Sequence, residues 1–126
     1  MFPMYKIKVI GGFSSAHRLK HYKGKCEHLH GHNWKVELIV SGITLDNTGL
    51  LVDFGILKKK LDFILKQLDH KNLNTIPFFN KTNPTSENIS YYIFTKMKDT
   101  LKNLPIKLEK VIVWENERQC ASYMEE

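Results

Sequence analysis

The 126-residue chain is predicted to form an α+β subunit in the order β, β, α, α, β, β, with antiparallel strand pairs and the helices bunched together. Three observations carry this expectation: apolar and charged residues alternate near both ends, two amphipathic stretches adjoin in the middle, and turn or capping residues stand at the junctions. From Tyr5, apolar Ile7, Val9 and Phe13 alternate with Lys6 and Lys8, the period-2 signature of a half-buried strand. Gly11 and Gly12 interrupt this pattern, and the expectation there is a bulge. From His30, the even positions His32, Trp34, Val36, Leu38 and Val40 alternate with Asn33, Lys35 and Glu37 in a second, longer strand.

Asp46-Asn47-Thr48-Gly49 is turn chemistry, and Asp53 stands where its carboxylate can accept the free amide hydrogens of a first helical turn. Phe54, Leu57, Leu61, Ile64, Leu65 and Leu68 recur at spacings of three and four, predicting a helix to about Leu68. Asn83-Pro84-Thr85-Ser86-Glu87 opens the second helix, with Ile89, Ile93, Met97 and Leu101 on one face. Beyond Pro105, Val111 and Val113 predict a third strand running to about Asn116, and Ala121 to Tyr123 a short fourth.

The chain reads as one domain over residues 1–126, without repeats or linker-like composition. Hydrophobic residues make up 42% and charged residues 25%, which excludes the disordered class. No apolar run approaches the roughly 20 residues of a membrane span. Two separated cysteines without a secretory pattern at the start predict a reduced, cytoplasmic protein. The net charge of +6 comes largely from lysines dispersed along solvated helix faces, and no arginine–aromatic alternation marks a base-stacking surface.

Histidines crowd between His17 and His32. His30 and His32 are two apart on a strand, so their imidazoles point to one side, and they share the even register of Trp34, Val36 and Leu38 that faces the buried surface. His17 shares the odd register of Ile7, Val9 and Phe13, provided the two glycines do not shift it. Three inward imidazoles satisfy one another by holding a cation, and a three-histidine site with an open fourth position is the arrangement of catalytic zinc. Cys26, with Lys23 and Lys25 nearby, is a candidate thiolate or simply a small buried hydrophobe. Asp69-His70 serves either as helix-terminating chemistry or as an imidazole with its carboxylate orienter. Glu115 continues the register of Val111 and Val113, which aims a carboxylate at the apolar side unless the strand has already ended.

Read together, Phe13-Ser14-Ser15-Ala16-His17-Arg18-Leu19, Cys26 with His30-Gly31-His32, Val52-Asp53-Phe54, Leu68-Asp69-His70, Pro84-Thr85-Ser86-Glu87-Asn88 and Glu115 resemble the 6-pyruvoyl-tetrahydropterin synthase and 6-carboxytetrahydropterin synthase family. The resemblance implies the tunnelling fold (T-fold), with subunits joining into a trimer-based, hexameric homo-oligomeric β-barrel whose active sites lie at subunit contacts. It implies zinc on His17, His30 and His32, Cys26 acting with Asp69 and His70 in proton transfer, and Glu115, Thr85 and Ser86 beside the pterin ring. The implied substrate is 7,8-dihydroneopterin triphosphate, which gives a reason for Arg18, Lys20, Lys23 and Lys25 to cluster. Short loops favour the branch making 6-carboxytetrahydropterin, acetaldehyde and triphosphate for queuosine-type deazapurines. The alternatives are triphosphate elimination to 6-pyruvoyl-tetrahydropterin, and a plasmodial-type reaction in which Glu27 replaces the cysteine and yields 6-hydroxymethyl-dihydropterin for folate. Alone, Glu27 is also readable as an exposed loop carboxylate. A non-catalytic zinc-containing module that binds nucleic acid is the competing class, disfavoured because the Cys and His spacing matches no zinc finger.

Overall fold

A computed structural model describes residues 3–24 and 27–126. The element order is β1 (Tyr5–His17), β2 (His30–Gly42), α1 (Phe54–Lys66), α2 (Ser86–Leu101), β3 (Lys107–Trp114) and β4 (Cys120–Tyr123), the predicted ββααββ sequence. Two 3₁₀ turns, Leu73–Thr75 and Pro77–Asn80, occupy the connection between the helices. The strands form one antiparallel sheet in the order β1-β2-β3-β4.

The predicted bulge at Gly11 and Gly12 is absent: β1 pairs with β2 without a shift, Gly11 opposite Val36 and Gly12 opposite Lys35. The glycines answer a different demand. A Cβ on Gly11 would lie 2.7 Å from Leu65 Cδ1, and one on Gly12 would lie 2.9 Å from the Trp34 carbonyl oxygen. Close approach of α1 and of the neighbouring strand requires glycine here. The sheet's irregularity falls instead between Ile39 and Val40 on β2, opposite β3.

Both helices cover one face of the sheet. Val9, Phe13, Trp34, Val36, Leu38, Val40, Val111 and Val113 point into it and pack against Leu57, Leu61, Ile64 and Leu65 of α1 and Ile89, Ile93, Phe94 and Met97 of α2. The Asp53 carboxylate caps α1 by accepting from the Gly55 amide at 2.7 Å, and Thr85 caps α2 by accepting from Asn88 at 3.0 Å. α1 ends at Lys66, two residues before the expected end, yet Leu68 remains fully buried in the turn beyond it. β3 also stops before the predicted Asn116. The Asn116 side chain accepts from the amides of Arg118 and Gln119, turning the chain into β4, while the Glu115 amide donates to the Gln119 carbonyl. No helix of the described residues is long and apolar enough to cross a membrane.

The opposite sheet face carries a nearly buried carboxylate. Glu37 receives the Trp114 indole N–H at 2.7 Å and pairs with Lys8 at 2.9 Å, while Lys35 lies over the Trp114 ring. Burial pushes the Glu37 pKa up, but the Trp114 hydrogen bond and the Lys8 contact outweigh it and leave the group below its ordinary value. A carboxyl depressed in the folded state stabilises the fold above its unfolded-state pKa, and this contribution disappears as pH falls through the folded-state value. Glu37→Gln is therefore expected to cost about 1–3 kcal/mol at neutral pH. Urea unfolding should show the difference from wild type shrinking towards pH 3, and a difference independent of pH would contradict this role for the charge.

Candidate active site

The unshifted pairing sets His17 at the end of β1 directly opposite His30 at the start of β2, with His32 opposite Ser15. Side chains of opposed residues share a face. The three imidazoles accordingly form a triangle with ring centroids 4.7, 4.9 and 5.1 Å apart, all edge-to-face, on a floor made by the Trp34 indole. Trp34 is itself held by its N–H donating to the Ser15 carbonyl. The three share the predicted face, with burial graded along it: His17 is buried, His32 partly so, and His30 exposed. The strand ends run out from the part of the sheet where the core is packed.

Two backbone carbonyls orient the rings. His17 Nδ1 lies 2.7 Å from the Pro84 oxygen, and His30 Nδ1 lies 2.8 Å from the His28 oxygen. A carbonyl can only accept, so each Nδ1 carries the proton and each Nε2 presents a lone pair, as in histidines whose other ring nitrogen binds a metal. Burial lowers the His32 pKa, and the charges of His17 and His30 push in the same direction against the opposing effect of Glu115.

Glu115, one residue past the end of β3, brings Oε1 to 3.4 Å from both His17 Nε2 and His32 Nε2. Neither contact is a hydrogen bond, and both nitrogens are buried without a partner. Such orphaned acceptors are costly unless something binds them. One donor atom from each of His17, His30, His32 and Glu115 lies within 4.8 Å of the others. A tetrahedral ion with bonds of about 2.0–2.1 Å separates its donors by about 3.3–3.4 Å. The donor set, the tautomers and the unpartnered nitrogens thus fit a zinc-like ion.

Beside the cluster opens a cleft of about 320 Å³ whose walls include His17, Glu115, Thr85 and Ser86. Glu87, Gln119 and Cys120 also line it. The exposed Cys120 thiol on this wall was not anticipated, since nothing local in the sequence marks it and only the β3–β4 pairing brings it there. On the other side of Glu115 lies a second hollow of about 590 Å³, lined by His32, Asn33, Lys35 and Trp114.

Beyond His17 the chain is gripped residue by residue. Asn74 bonds both the amide and the carbonyl of Arg18, Asn83 does the same for Lys20, and between them the Leu19 carbonyl accepts from the Glu27 amide. The Glu27 carboxylate accepts from the Leu19 amide at 3.0 Å, so this residue is engaged in holding the loop. Lys25 and Cys26 lie outside the described residues, and the reading of Cys26 with them.

Asp69 and His70 form the expected pair, with Asp69 Oδ2 at 2.8 Å from His70 Nδ1. The Ser14 amide donates to Asp69 Oδ1, and that bond, followed by the one to His70, holds the carboxyl below its usual range. The His70 amide in turn donates to the Ser14 carbonyl, which places the pair along the outer edge of β1. His70 is 82% exposed, adopts a left-handed backbone (φ 54°), and lines neither hollow beside the cluster.

Comparison with known proteins agrees with this geometry. Residues 6–126 match the sequence profile of the family described as 6-pyruvoyl tetrahydropterin synthase. The solved structure of 6-pyruvoyl tetrahydropterin synthase from Caenorhabditis elegans superposes with a TM-score of 0.86 at 32% identity, covering 99% of this chain and 98% of that one. A dihydroneopterin monophosphate aldolase from Pyrococcus furiosus is 40% identical over 105 residues, 82% of each chain. A 6-carboxy-5,6,7,8-tetrahydropterin synthase from a Synechocystis strain is 39% identical over 92 residues, 69% of this chain and 70% of that one. With its ββααββ subunit, histidine triangle and facing carboxylate, the chain belongs to the 6-pyruvoyl tetrahydropterin synthase family.

Proposed function

We propose that this chain is a 6-carboxy-5,6,7,8-tetrahydropterin synthase, a lyase that converts 7,8-dihydroneopterin triphosphate to 6-carboxytetrahydropterin, acetaldehyde and triphosphate. The observation that carries the reading is the pair of buried, unpartnered Nε2 atoms of His17 and His32, facing a carboxylate on the wall of a cleft that also presents Thr85 and Ser86. A carboxytetrahydropterin synthase stands among the relatives at 35–40% identity, beside the Pyrococcus aldolase and a nematode pyruvoyl-type relative, and the short loops favour the carboxy branch.

In this reading His17, His30 and His32 hold zinc, whose Lewis acidity lowers the pKa of hydroxyl groups on the substrate side chain. We assign Glu115 to the pterin, because the parallel N–H groups of a 2-amino-4-oxo edge match a carboxylate bidentately. Thr85 and Ser86 border the same ring. Cys26 takes and returns a proton as thiolate, a group that titrates nearer neutrality than an ordinary carboxylate. Asp69 fixes the His70 ring by accepting at Nδ1, leaving Nε2 to move protons. An exposed His70 on a sheet edge serves a cleft completed by a neighbouring subunit, in keeping with a trimer-based, hexameric assembly and a site at subunit contacts. The rival assignment of the proton transfer to Glu27, with 6-hydroxymethyl-dihydropterin as product, is weakened by the engagement of that carboxylate with the Leu19 amide.

Two outcomes test these roles. His30→Ala should abolish zinc retention and turnover together, whereas Glu115→Gln should keep its zinc and lose about 1.5–3 kcal/mol of affinity for a pterin such as neopterin. Elemental analysis and pterin titration decide the matter: stoichiometric zinc in His30→Ala removes the ligand assignment, and loss of zinc from Glu115→Gln makes Glu115 a ligand instead. For the chemistry, the zinc-loaded enzyme with 7,8-dihydroneopterin triphosphate should yield 6-carboxytetrahydropterin by chromatography and mass. Cys26→Ala should nearly eliminate this product and Glu27→Ala should only slow its formation. A hydroxymethyl product, with Cys26→Ala active and Glu27→Ala dead, would replace the proposal by the folate-type reaction.

A further inference from the structure

We propose that Glu37 is a positioning residue for Glu115: its bond to the Trp114 indole clamps the end of β3 to β2 and so fixes where the Glu115 carboxylate stands in the cleft. This rests on the assignment of Glu115 to the pterin made above, and extends it to residues that line no part of that cleft. Glu115 depends on such a clamp because of where the strand pairing stops. Trp114 opposite Lys35 is the last pair between β2 and β3. Glu115 follows it, and its amide turns the other way, to the Gln119 carbonyl. A residue just past the last pair of a ladder is where a strand opens first. Yet Glu115 Oε1 stands 3.4 Å from Nε2 of His17 on β1 and of His32 on β2. Keeping that arrangement requires the end of β3 to be tied across the sheet.

A network on the opposite face supplies the tie. Successive residues of a strand point to opposite faces, so the Trp114 side chain lies on the face that the helices leave open while Glu115 reaches the histidine side. The indole runs diagonally past its ladder partner Lys35 to Glu37 and donates to Oε2 at 2.7 Å. Oε1 of the same carboxylate pairs with Lys8 at 2.9 Å, and the Lys35 amine lies 4.7 Å from the centre of the Trp114 ring. Each oxygen of Glu37 therefore holds a different strand, β1 through Lys8 and β3 through Trp114. Those two strands carry His17 and lead into Glu115, and β2 between them carries His30 and His32. Glu37 is buried, and a hydrogen bond accepted by a carboxylate is about twice as strong as one between neutral groups. Glu109, by contrast, pairs with Lys6 and Lys107 where β3 begins, and ties nothing beside the cleft. The effect on a ligand is indirect: a carboxylate held in place before binding loses less freedom when the ligand arrives.

The test compares the full-length zinc-loaded protein with Trp114→Phe, which keeps a ring and removes the N–H, with Glu37→Gln, and with Glu109→Gln as control. Without any pterin, amide hydrogen exchange at Glu115 should speed at least tenfold in Trp114→Phe. Exchange at Val36 and Leu38 in the core reports global stability, and the increase at Glu115 should exceed any increase there. Affinity for neopterin should fall about tenfold in Trp114→Phe and several-fold in Glu37→Gln, at unchanged zinc content. KM for 7,8-dihydroneopterin triphosphate should rise in step with little change in kcat, the pattern of lost uniform binding. The double variant should lose no more than Trp114→Phe alone, because one bond is broken either way. Glu109→Gln should match wild type. The exchange measurement judges the clamp whatever Glu115 binds, and Glu115→Gln, titrated with neopterin alongside, judges the reading. Wild-type affinity in both clamp variants beside a loss in Glu115→Gln overturns the positioning role and leaves the reading standing, whereas wild-type affinity in Glu115→Gln overturns both. Unchanged exchange at Glu115, or additive losses in the double variant, also overturns the proposal. If Trp114→Phe fails to fold, Lys8→Met takes a partner from the same carboxylate at an exposed position. Faster exchange at Glu115 then supports the clamp, and exchange equal to wild type overturns it.

Discussion

The pairing of β1 with β2, thirteen residues against thirteen without a bulge, is the constraint on which the site depends. A one-residue slip between them would send His17 to the face occupied by Lys8 and Lys35 and leave His30 and His32 without a third imidazole. The register is held on either side of the two glycines by apolar pairs, Val9 opposite Leu38 and Phe13 opposite Trp34. In the middle, Gly11 and Gly12 let Leu65 and the Trp34 carbonyl come close without bending the strand. Core packing and the convergence of the three imidazoles are therefore consequences of the same register.

Orientation is added by groups remote in sequence. The Pro84 carbonyl, at the entrance to α2, fixes the His17 tautomer, and Thr85, the next residue, caps the helix while bordering the cleft. Asn74, Asn83 and Glu27 then hold Arg18, Lys20 and Leu19 by their backbone groups. The side chains of Arg18 and Lys20 are left out of these clasps.

Much of this was legible in the sequence because it is periodic. Alternation revealed the strands and their inward faces, three-and-four spacing revealed the helices, and parity placed His30 and His32 on one side, while His17 and Glu115 joined them only on the conditions that β1 ran without a bulge and that the register of β3 held past its end. Tertiary demands were not legible. Glycines that read as a bulge are there for close approach, and β3 ends early because the Asn116 side chain starts a turn. The 3₁₀ turns after Asn72 carry no long periodic pattern, and the clasps join residues 8 to 63 positions apart. Cys120 reaches the cleft wall only through pairing with Trp114, and His70 adopts a left-handed backbone without any glycine signal, its amide bonded to the Ser14 carbonyl.

The proposed site holds a zinc ion on three imidazoles, two of them oriented by backbone carbonyls, with a position left open for substrate. X-ray absorption at the zinc edge of the purified, zinc-loaded protein tests it most directly. Three imidazole ligands give nitrogen and oxygen neighbours at about 2.0–2.1 Å, with imidazole outer-shell scattering from three rings and no sulfur. A sulfur scatterer at about 2.3 Å, or fewer than three imidazoles, would contradict it.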